Sequence, residues 1–297
     1  AGHRGQGSMS FEPPGTPGEV VPLRLPRPAE LFARRARRFR ELVPGNPMGE
    51  FLDALADVAS AQGTALGAVP PGAPDREPGG GTPLRASTHV RDPAWRAGLA
   101  SIVGSLRSRS WPTPAAEALR RLATAAPAEL ESLADGVLRG EPAATDLAAA
   151  PFVGAALQVY FTSLASALSA TGLARSEQGC PVCGSPPVAG VVLGDDRLRY
   201  LCCSLCGSDW NLTRIQCWSC RSTGGIRYLA VAGDPGGVKA ELCSDCGAYV
   251  KLFYLEKMPA AEPLADDVAS LTLDLLAAQE GWGRSGVNLF LLGGAEG

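Results

Sequence analysis

The chain has 297 residues, 19% of them charged, and a formal net charge of -3. That length can bury a sizeable core and suggests two domains, while the mild acidity leaves no global basic field to hold nucleic acid. With only His3 and His89 present, histidine metal sites and Ser-His or Cys-His catalysis have almost nothing to work with.

Residues 1–8, Ala1-Gly2-His3-Arg4-Gly5-Gln6-Gly7-Ser8, read as the remnant of an expression tag before a start at Met9. The residues after Met9 include neither a basic n-region nor an apolar h-region, so they do not read as a signal peptide. Residues 9–28, rich in proline and glycine, read as an extended arm. A helix is expected from Pro28, with Leu31, Phe32, Ala36, Phe39 and Leu42 on one stripe. Arg34, Arg35, Arg37, Arg38 and Arg40 spread over the rest and read as a solvated face, with an acidic partner as the alternative. The arginine pairs do not make a twin-arginine signal, because Pro44-Gly45-Asn46-Pro47 stands where an apolar h-region is needed.

A second helix, Met48 to Thr64, carries Phe51, Leu52, Leu55, Val58 and Ala59 on its apolar face. Gly67 to Asp92 is broken by proline and glycine and reads as a long loop, a candidate contact surface on which His89 is solvated. Asp92-Pro93 and Thr113-Pro114 each start a helix in cap-then-proline order. Leu99, Ile102, Val103 and Leu106 line the first, and Ala118, Leu119 and Leu122 the second. A short helix comes next, around Leu130, Leu133, Val137 and Leu138. Leu147 to Leu173 lacks any charge, so a membrane span must be weighed. Its prolines, glycines and hydroxyls, with Val153, Leu157, Tyr160, Leu164 and Leu168 on a stripe, favour the buried central helix of a bundle.

Eight of the nine cysteines then fall into four Cys-x-x-Cys pairs: Cys180/Cys183, Cys203/Cys206, Cys217/Cys220 and Cys243/Cys246, separated by 19, 10 and 22 residues. Such a pair at a tight turn presents two sulfurs to one soft metal ion, and two pairs complete a tetrahedral cage. Only the first and third gaps are long enough for a hairpin, which predicts one site from Cys180, Cys183, Cys203 and Cys206 and another from Cys217, Cys220, Cys243 and Cys246. The repeated order of knuckle, strand, turn, strand, knuckle and closing strand agrees, with turns at Gly194-Asp195-Asp196 and Gly233-Asp234-Pro235-Gly236-Gly237. Gly184, Gly207 and Gly247 come directly after three of the knuckles, where positive φ is expected to turn an N–H toward the cysteine sulfur. Arg221 takes that place in the third knuckle and predicts a more open or strained site.

A disulfide scaffold does not suit a long chain with an odd cysteine count, nor does a thioredoxin-type dithiol suit pairs set between short strands. Cys202 reads as a buried apolar residue beside the cage. Thiolates hold zinc and mononuclear iron alike, and Cys180-Pro181-Val182-Cys183-Gly184 is as close to a rubredoxin knuckle as to a zinc ribbon. A last helix, Pro263 to Glu280, carries Asp266 and Asp267 in its first turn and a stripe of Leu264, Val268, Leu271 and Leu275. Val287-Asn288-Leu289-Phe290-Leu291-Leu292 near the end is either docked or an exposed anchor.

The frame of Cys180-Pro181-x-Cys183-Gly184, Arg199-Tyr200-Leu201-x-Cys203-Ser204-x-Cys206, Cys217-x-x-Cys220 and Lys239-Ala240-Glu241-x-Cys243-x-x-Cys246-Gly247-x-Tyr249-x-Lys251 closely resembles the formate dehydrogenase accessory protein family, FdhE. The resemblance runs on through Asp267-Val268-Ala269-Ser270-Leu271 to Glu280-Gly281-Trp282, Asn288 and Phe290, and covers the chain from about residue 28 onward. It implies a cytoplasmic accessory protein, a maturation chaperone that contacts the catalytic subunit of respiratory, molybdenum-containing formate dehydrogenase and makes it active before export. It also implies iron bound in a rubredoxin-like way through the eight paired cysteines, with zinc as the alternative metal. Cys202 stands outside the family frame, and Leu289 stands where the frame has a proline.

The expected fold is α+β, an N-terminal helical bundle with tandem rubredoxin-like or zinc-ribbon-like small β modules and a C-terminal helix. Its divisions are a tag remnant (1–8), an arm (9–28), a helical domain (29–178), a two-metal module (179–256) and a C-terminal helix and tail (257–297). No acid–base pair, phosphate-cradling loop or nucleophile with its histidine argues for turnover. The rival functions are a one-electron carrier and a zinc-ribbon nucleic-acid binder. The second is opposed by the acidic balance and by the few basic residues of the module, Arg197, Arg199, Arg214, Arg221, Arg227, Lys239 and Lys251.

Overall fold

The computed structural model describes residues 20–69, 81–171, 173, 179–194, 197–213, 215–233 and 236–292. The expected tag remnant, most of the arm, residues 70–80 of the long loop, the turn residues Asp195, Asp196, Asp234 and Pro235, and Arg214 lie outside them.

A two-residue strand β1 (Leu23–Arg24) leads into six helices: α1 (Pro28–Leu42), α2 (Gly49–Ala65), α3 (Ala94–Leu106), α4 (Thr113–Thr124), α5 (Pro127–Arg139) and α6 (Ala150–Ser166). The helices begin close to the expected starts, although Thr113 is itself the first residue of α4 and makes no side-chain cap. Asp92 Oδ1 accepts the Ala94 N–H at 2.8 Å, so the residue before the proline supplies the cap of α3. The apolar stripes of α3 and α4 are buried, as are most of the α2 positions, while Phe51 is exposed. In α6 every residue from Phe152 to Ala165 is buried, because the other helices and the chain end surround it. No helix among the described residues is long and apolar enough to cross a membrane.

Three arginines of α1, Arg34, Arg35 and Arg38, leave the expected solvated face. Arg35 is buried and donates to Glu262 (3.1 Å) and Gln158 (3.4 Å), and Arg38 pairs with Asp266 at 2.7 Å. The reason is tertiary: α1 is packed between helices, so only Arg37 and Arg40 keep an exposed position.

The remaining strands are β2 (Pro187–Leu193), β3 (Leu198–Cys203), β4 (Asp209–Asn211), β5 (Ile226–Leu229), β6 (Val238–Cys243) and β7 (Ala248–Tyr254). They form one sheet in the order β1-β4-β3-β2-β7-β6-β5. Each cysteine unit is an antiparallel meander, β2-β3-β4 and β5-β6-β7. The units join head to tail through parallel pairing of β2 with β7, from Ala189↔Lys251 to Val192↔Tyr254. Those two inner strands read as near-continuous buried runs, as strands covered on both faces do. Gly190 is required there, since a Cβ would fall 2.7 Å from Leu252 Cδ2 and 3.1 Å from the Tyr200 carbonyl.

The expected single C-terminal helix is two, α7 (Pro263–Ala269) and α8 (Leu271–Gln279), after which β8 (Gly283–Arg284) pairs beside β7. The break sits at Ser270. Lys251 Nζ donates to the Asp267 carbonyl at 2.7 Å, the acceptor that a continuing helix would use for Leu271. The apolar face therefore turns, burying Leu273 and Ala277 and leaving the predicted core residue Leu275 65% exposed. Asp266 and Asp267 are likewise not first-turn surface charges. Asp267 meets Lys251 at 2.9 Å and also pairs with Arg284 and Asn288. The apolar run near the end is docked: Asn288 caps a 3-10 turn, Leu289–Leu291, and Phe290 stacks edge-on against Phe39 at 5.9 Å.

Candidate metal centre

Two kinds of backbone bond close the knuckles, each seen in three of the four. The N–H of the first cysteine donates five residues ahead, Cys180 to Ser185 (2.9 Å), Cys203 to Ser208 (3.0 Å) and Cys217 to Ser222 (2.7 Å). The N–H after the second cysteine returns to the first cysteine's carbonyl: Gly184 to Cys180 (2.8 Å), Arg221 to Cys217 (3.1 Å) and Gly247 to Cys243 (2.9 Å). The knuckle glycines do take positive φ, but the N–H of Gly184 and of Gly247 closes its turn instead of reaching sulfur. The sulfurs are served from other positions. Cys203 Sγ accepts the Cys206 N–H at 3.4 Å, and Cys183 and Cys206 lie 3.4 and 3.3 Å from the hydroxyls of Ser185 and Ser208. These serines escaped the sequence reading, although Cys-x-x-Cys-x-Ser occurs three times; Ala248 holds the place in the fourth knuckle.

The structure gathers the sulfurs into two groups, Cys180, Cys183, Cys203 and Cys206, and Cys217, Cys220, Cys243 and Cys246, with ligand atoms within 4.8 Å of one another. In the first, Cys180 and Cys206 Sγ are 3.6 Å apart and Cys183 and Cys203 3.4 Å. In the second, Cys217 and Cys246 are 3.7 Å apart and Cys220 and Cys243 3.6 Å. A tetrahedron of thiolates around an ion at about 2.3 Å has edges of about 3.8 Å, whereas a disulfide needs about 2.05 Å. The donor sets therefore fit two soft metal ions, one per cluster.

The electrostatics fit as well. Burial pushes the Cys180 and Cys206 thiols well up. Burial also opposes the Cys183 thiolate, but hydrogen bonds from Cys180, Cys203, Cys206 and Ser185 outweigh it and hold that thiol well below its ordinary range. In the second cluster burial raises Cys217 to about 12. Cys220 is lowered, first by the Ser222 backbone N–H. A cage that keeps one easily formed thiolate among reluctant thiols completes its ionisation when a cation displaces the protons. Cys202 is buried outside both cages on β3, and burial and the charge of Asp209 push its thiol well up.

The surroundings of the clusters differ. Leu84 and Ala86, from the described end of the long loop, donate backbone N–H groups to the carbonyls of Val182 and Cys183, each at 2.9 Å. That segment is thus a cover on the first knuckle, held further by His89 Nε2, 3.0 Å from Tyr160 OH on α6. His89 is partly buried instead of solvated, and burial, with Arg91 nearby, lowers its basicity. The second knuckle docks on α6, where Gln158 Nε2 donates to the Ser204 carbonyl at 2.7 Å. Arg199 grips the connector to the next unit through the Thr213 and Gln216 carbonyls, both at 2.6 Å, and pairs with Glu241.

Family models match along the chain: one described as FdhE, N-terminal, over residues 20–178, one as FdhE, central domain, over 179–214, and one as FdhE, C-terminal domain, over 215–291. The chain is 37% identical over 292 residues to the Protein FdhE homolog of Cronobacter sakazakii, covering 93% of this chain and 92% of that one. It is 38% identical over 288 residues to Protein FdhE of Salmonella enteritidis, again covering 93% and 92%. A solved structure, the FdhE protein from Pseudomonas aeruginosa, superposes with a TM-score of 0.80 at 34% identity, covering 91% of this chain and 98% of that one.

Proposed function

The chain belongs to the FdhE family, and from that premise we propose that it is a cytoplasmic accessory protein that binds the catalytic subunit of respiratory, molybdenum-containing formate dehydrogenase and brings it to activity before export. The observation that carries this reading is the match of all three FdhE family models, in order, over residues 20–291. Nine cysteines free of disulfides suit a reducing compartment. In this reading Cys180, Cys183, Cys203 and Cys206 hold one metal ion and Cys217, Cys220, Cys243 and Cys246 the other. Iron is favoured by the rubredoxin-like first knuckle, and zinc is the alternative.

Formate-dependent dye reduction in cells lacking this gene, with the catalytic subunit quantified in the same extracts, tests the role. The expected result is lost activity with the subunit still present; normal activity overturns the reading. The exposure of Cys220 and Cys246 favours a second reading, in which the metal passes one electron to the client. Full rescue of those cells by a zinc-loaded protein would dispose of electron transfer and leave the docking role standing.

A further inference from the structure

The two clusters share a donor set and differ in what surrounds them. Cys180, Cys183, Cys203 and Cys206 are 0 to 1% exposed and belong to the main hydrophobic core, together with Leu84, Leu205 and the residues of α6. Both of their knuckle glycines are roofed by the helical part. A Cβ on Gly184 would touch Arg85 and Thr82 at 3.8 Å, and one on Gly207 would lie 2.7 Å from Leu31 Cδ2 and 3.4 Å from Pro26. The cover and the α6 contact both grip backbone carbonyls of the knuckles, so the first cage opens only if the sheet parts from the helices.

The second cluster lacks such a roof. Cys217 and Cys243 are buried, but Cys220 and Cys246 are exposed, one from each knuckle, and none of the four lies in the main core. A Cβ on Gly247 would meet nothing within 4 Å. Arg221 holds φ +67° in the third knuckle, where the corresponding positions carry glycine, so this turn is strained before any ion is bound. Two of the four sulfurs thus belong to exposed residues outside the main core, on turns tied at their edges by Trp218 Nε1 to Ser285 Oγ and by the Gly283 N–H to the Gly247 carbonyl, each at 2.8 Å.

We infer that the second cluster is an exchange site, whose soft metal ion enters and leaves the folded protein through the face bounded by Cys220 and Cys246, while the first cluster gives up its ion only on unfolding. The inference rests on the reading of the eight cysteines as ligands. Exchange replaces thiolate–metal bonds one at a time: an incoming chelator takes the coordination position vacated by Cys220 or Cys246, and the ion leaves with its charge balanced by protons returning to the sulfurs. That sequence needs a ligand atom reachable from water. Only the second cluster offers two.

The test uses the full chain loaded with zinc. Metal content is measured first; then EDTA is added and released zinc, far-UV circular dichroism and iodoacetamide labelling of each cysteine are followed together. Two equivalents bound is the expected stoichiometry, and fewer than two overturns the ligand reading and the inference with it. One equivalent should leave at least about a hundredfold faster than the other, since local opening runs from almost no cost up to that of global unfolding. The circular dichroism should stay constant during the fast phase, and label should appear on Cys217, Cys220, Cys243 and Cys246. Cys220→Ser should abolish the fast phase and keep one slow equivalent. Release of both ions at one rate, early label on Cys180 or Cys203, or loss of structure with the first equivalent overturns the inference while leaving the two-metal reading intact.

Discussion

Arg221 holds φ +67° with its backbone N–H on the Cys217 carbonyl and its own carbonyl accepting from Gln216, so its main chain is committed to the turn whatever side chain it carries. Left-handed backbone costs a residue with a side chain about 1–2 kcal/mol, and glycine avoids that while losing about 0.5–1 kcal/mol in chain entropy. Arg221→Gly should therefore raise stability by about 0.5–1 kcal/mol, read from the denaturant midpoint of the metal-loaded protein; an unchanged midpoint would mean the turn is not strained. Asp267 illustrates the opposite case, a charge the fold needs. Burial disfavours its carboxylate, but Lys251 and Arg284 prevail and hold it below its ordinary 3.8. A depressed carboxyl stabilises the fold fully above 3.8 and loses that contribution as pH falls from 3.8 toward the folded-state value. Asp266 works in the reverse sense, since burial raises it in spite of Arg38. Asp267→Asn should cost about 3 kcal/mol at neutral pH, because the buried Lys251 and the partly buried Arg284 are left with Asp274 as their one remaining carboxylate, and should flatten the dependence below pH 3.8 in urea titrations.

Amphipathic periodicity made most helices legible, down to the proline-marked starts of α3 and α4, because each is decided by contacts within a few turns of chain. The failures have distant causes. Nothing near Arg35 foretells that Glu262, 227 positions on, will bury it, and nothing near Ser270 foretells that an ammonium from β7 will take the Asp267 carbonyl and turn the apolar face of α8. The chain end was open between docked and exposed, and its burial settles it. Phe290 is 1% exposed against Phe39, with Asn288 fastening the turn to Asp267 and to the Leu264 carbonyl. Phe290→Ala should therefore cost about 3–5 kcal/mol, a core-sized loss, with a matching fall in the thermal midpoint. A loss below about 1 kcal/mol would assign the tail to the surface instead.

At the scale of the molecule, the pairing of knuckles could be read from the spacings because only two of the three gaps admit a hairpin. Of the unequal shielding of the clusters only Arg221 gave a sign, since the roof over the first is assembled from α6, the arm and a loop nearly a hundred residues upstream. The same holds for the seam between the units, as the partnering of β2 with β7 leaves no mark in either strand beyond a doubly buried pattern. That seam has a consequence for synthesis. Translation adds about 5–20 residues per second, so β2 waits roughly 3–12 seconds for β7 to be made, with an apolar edge unpaired. Glu262, the partner of Arg35, comes later still. The nascent helices and first cage are therefore complete in sequence well before they are complete in structure, and the fold closes in one late step once Glu262 has been made.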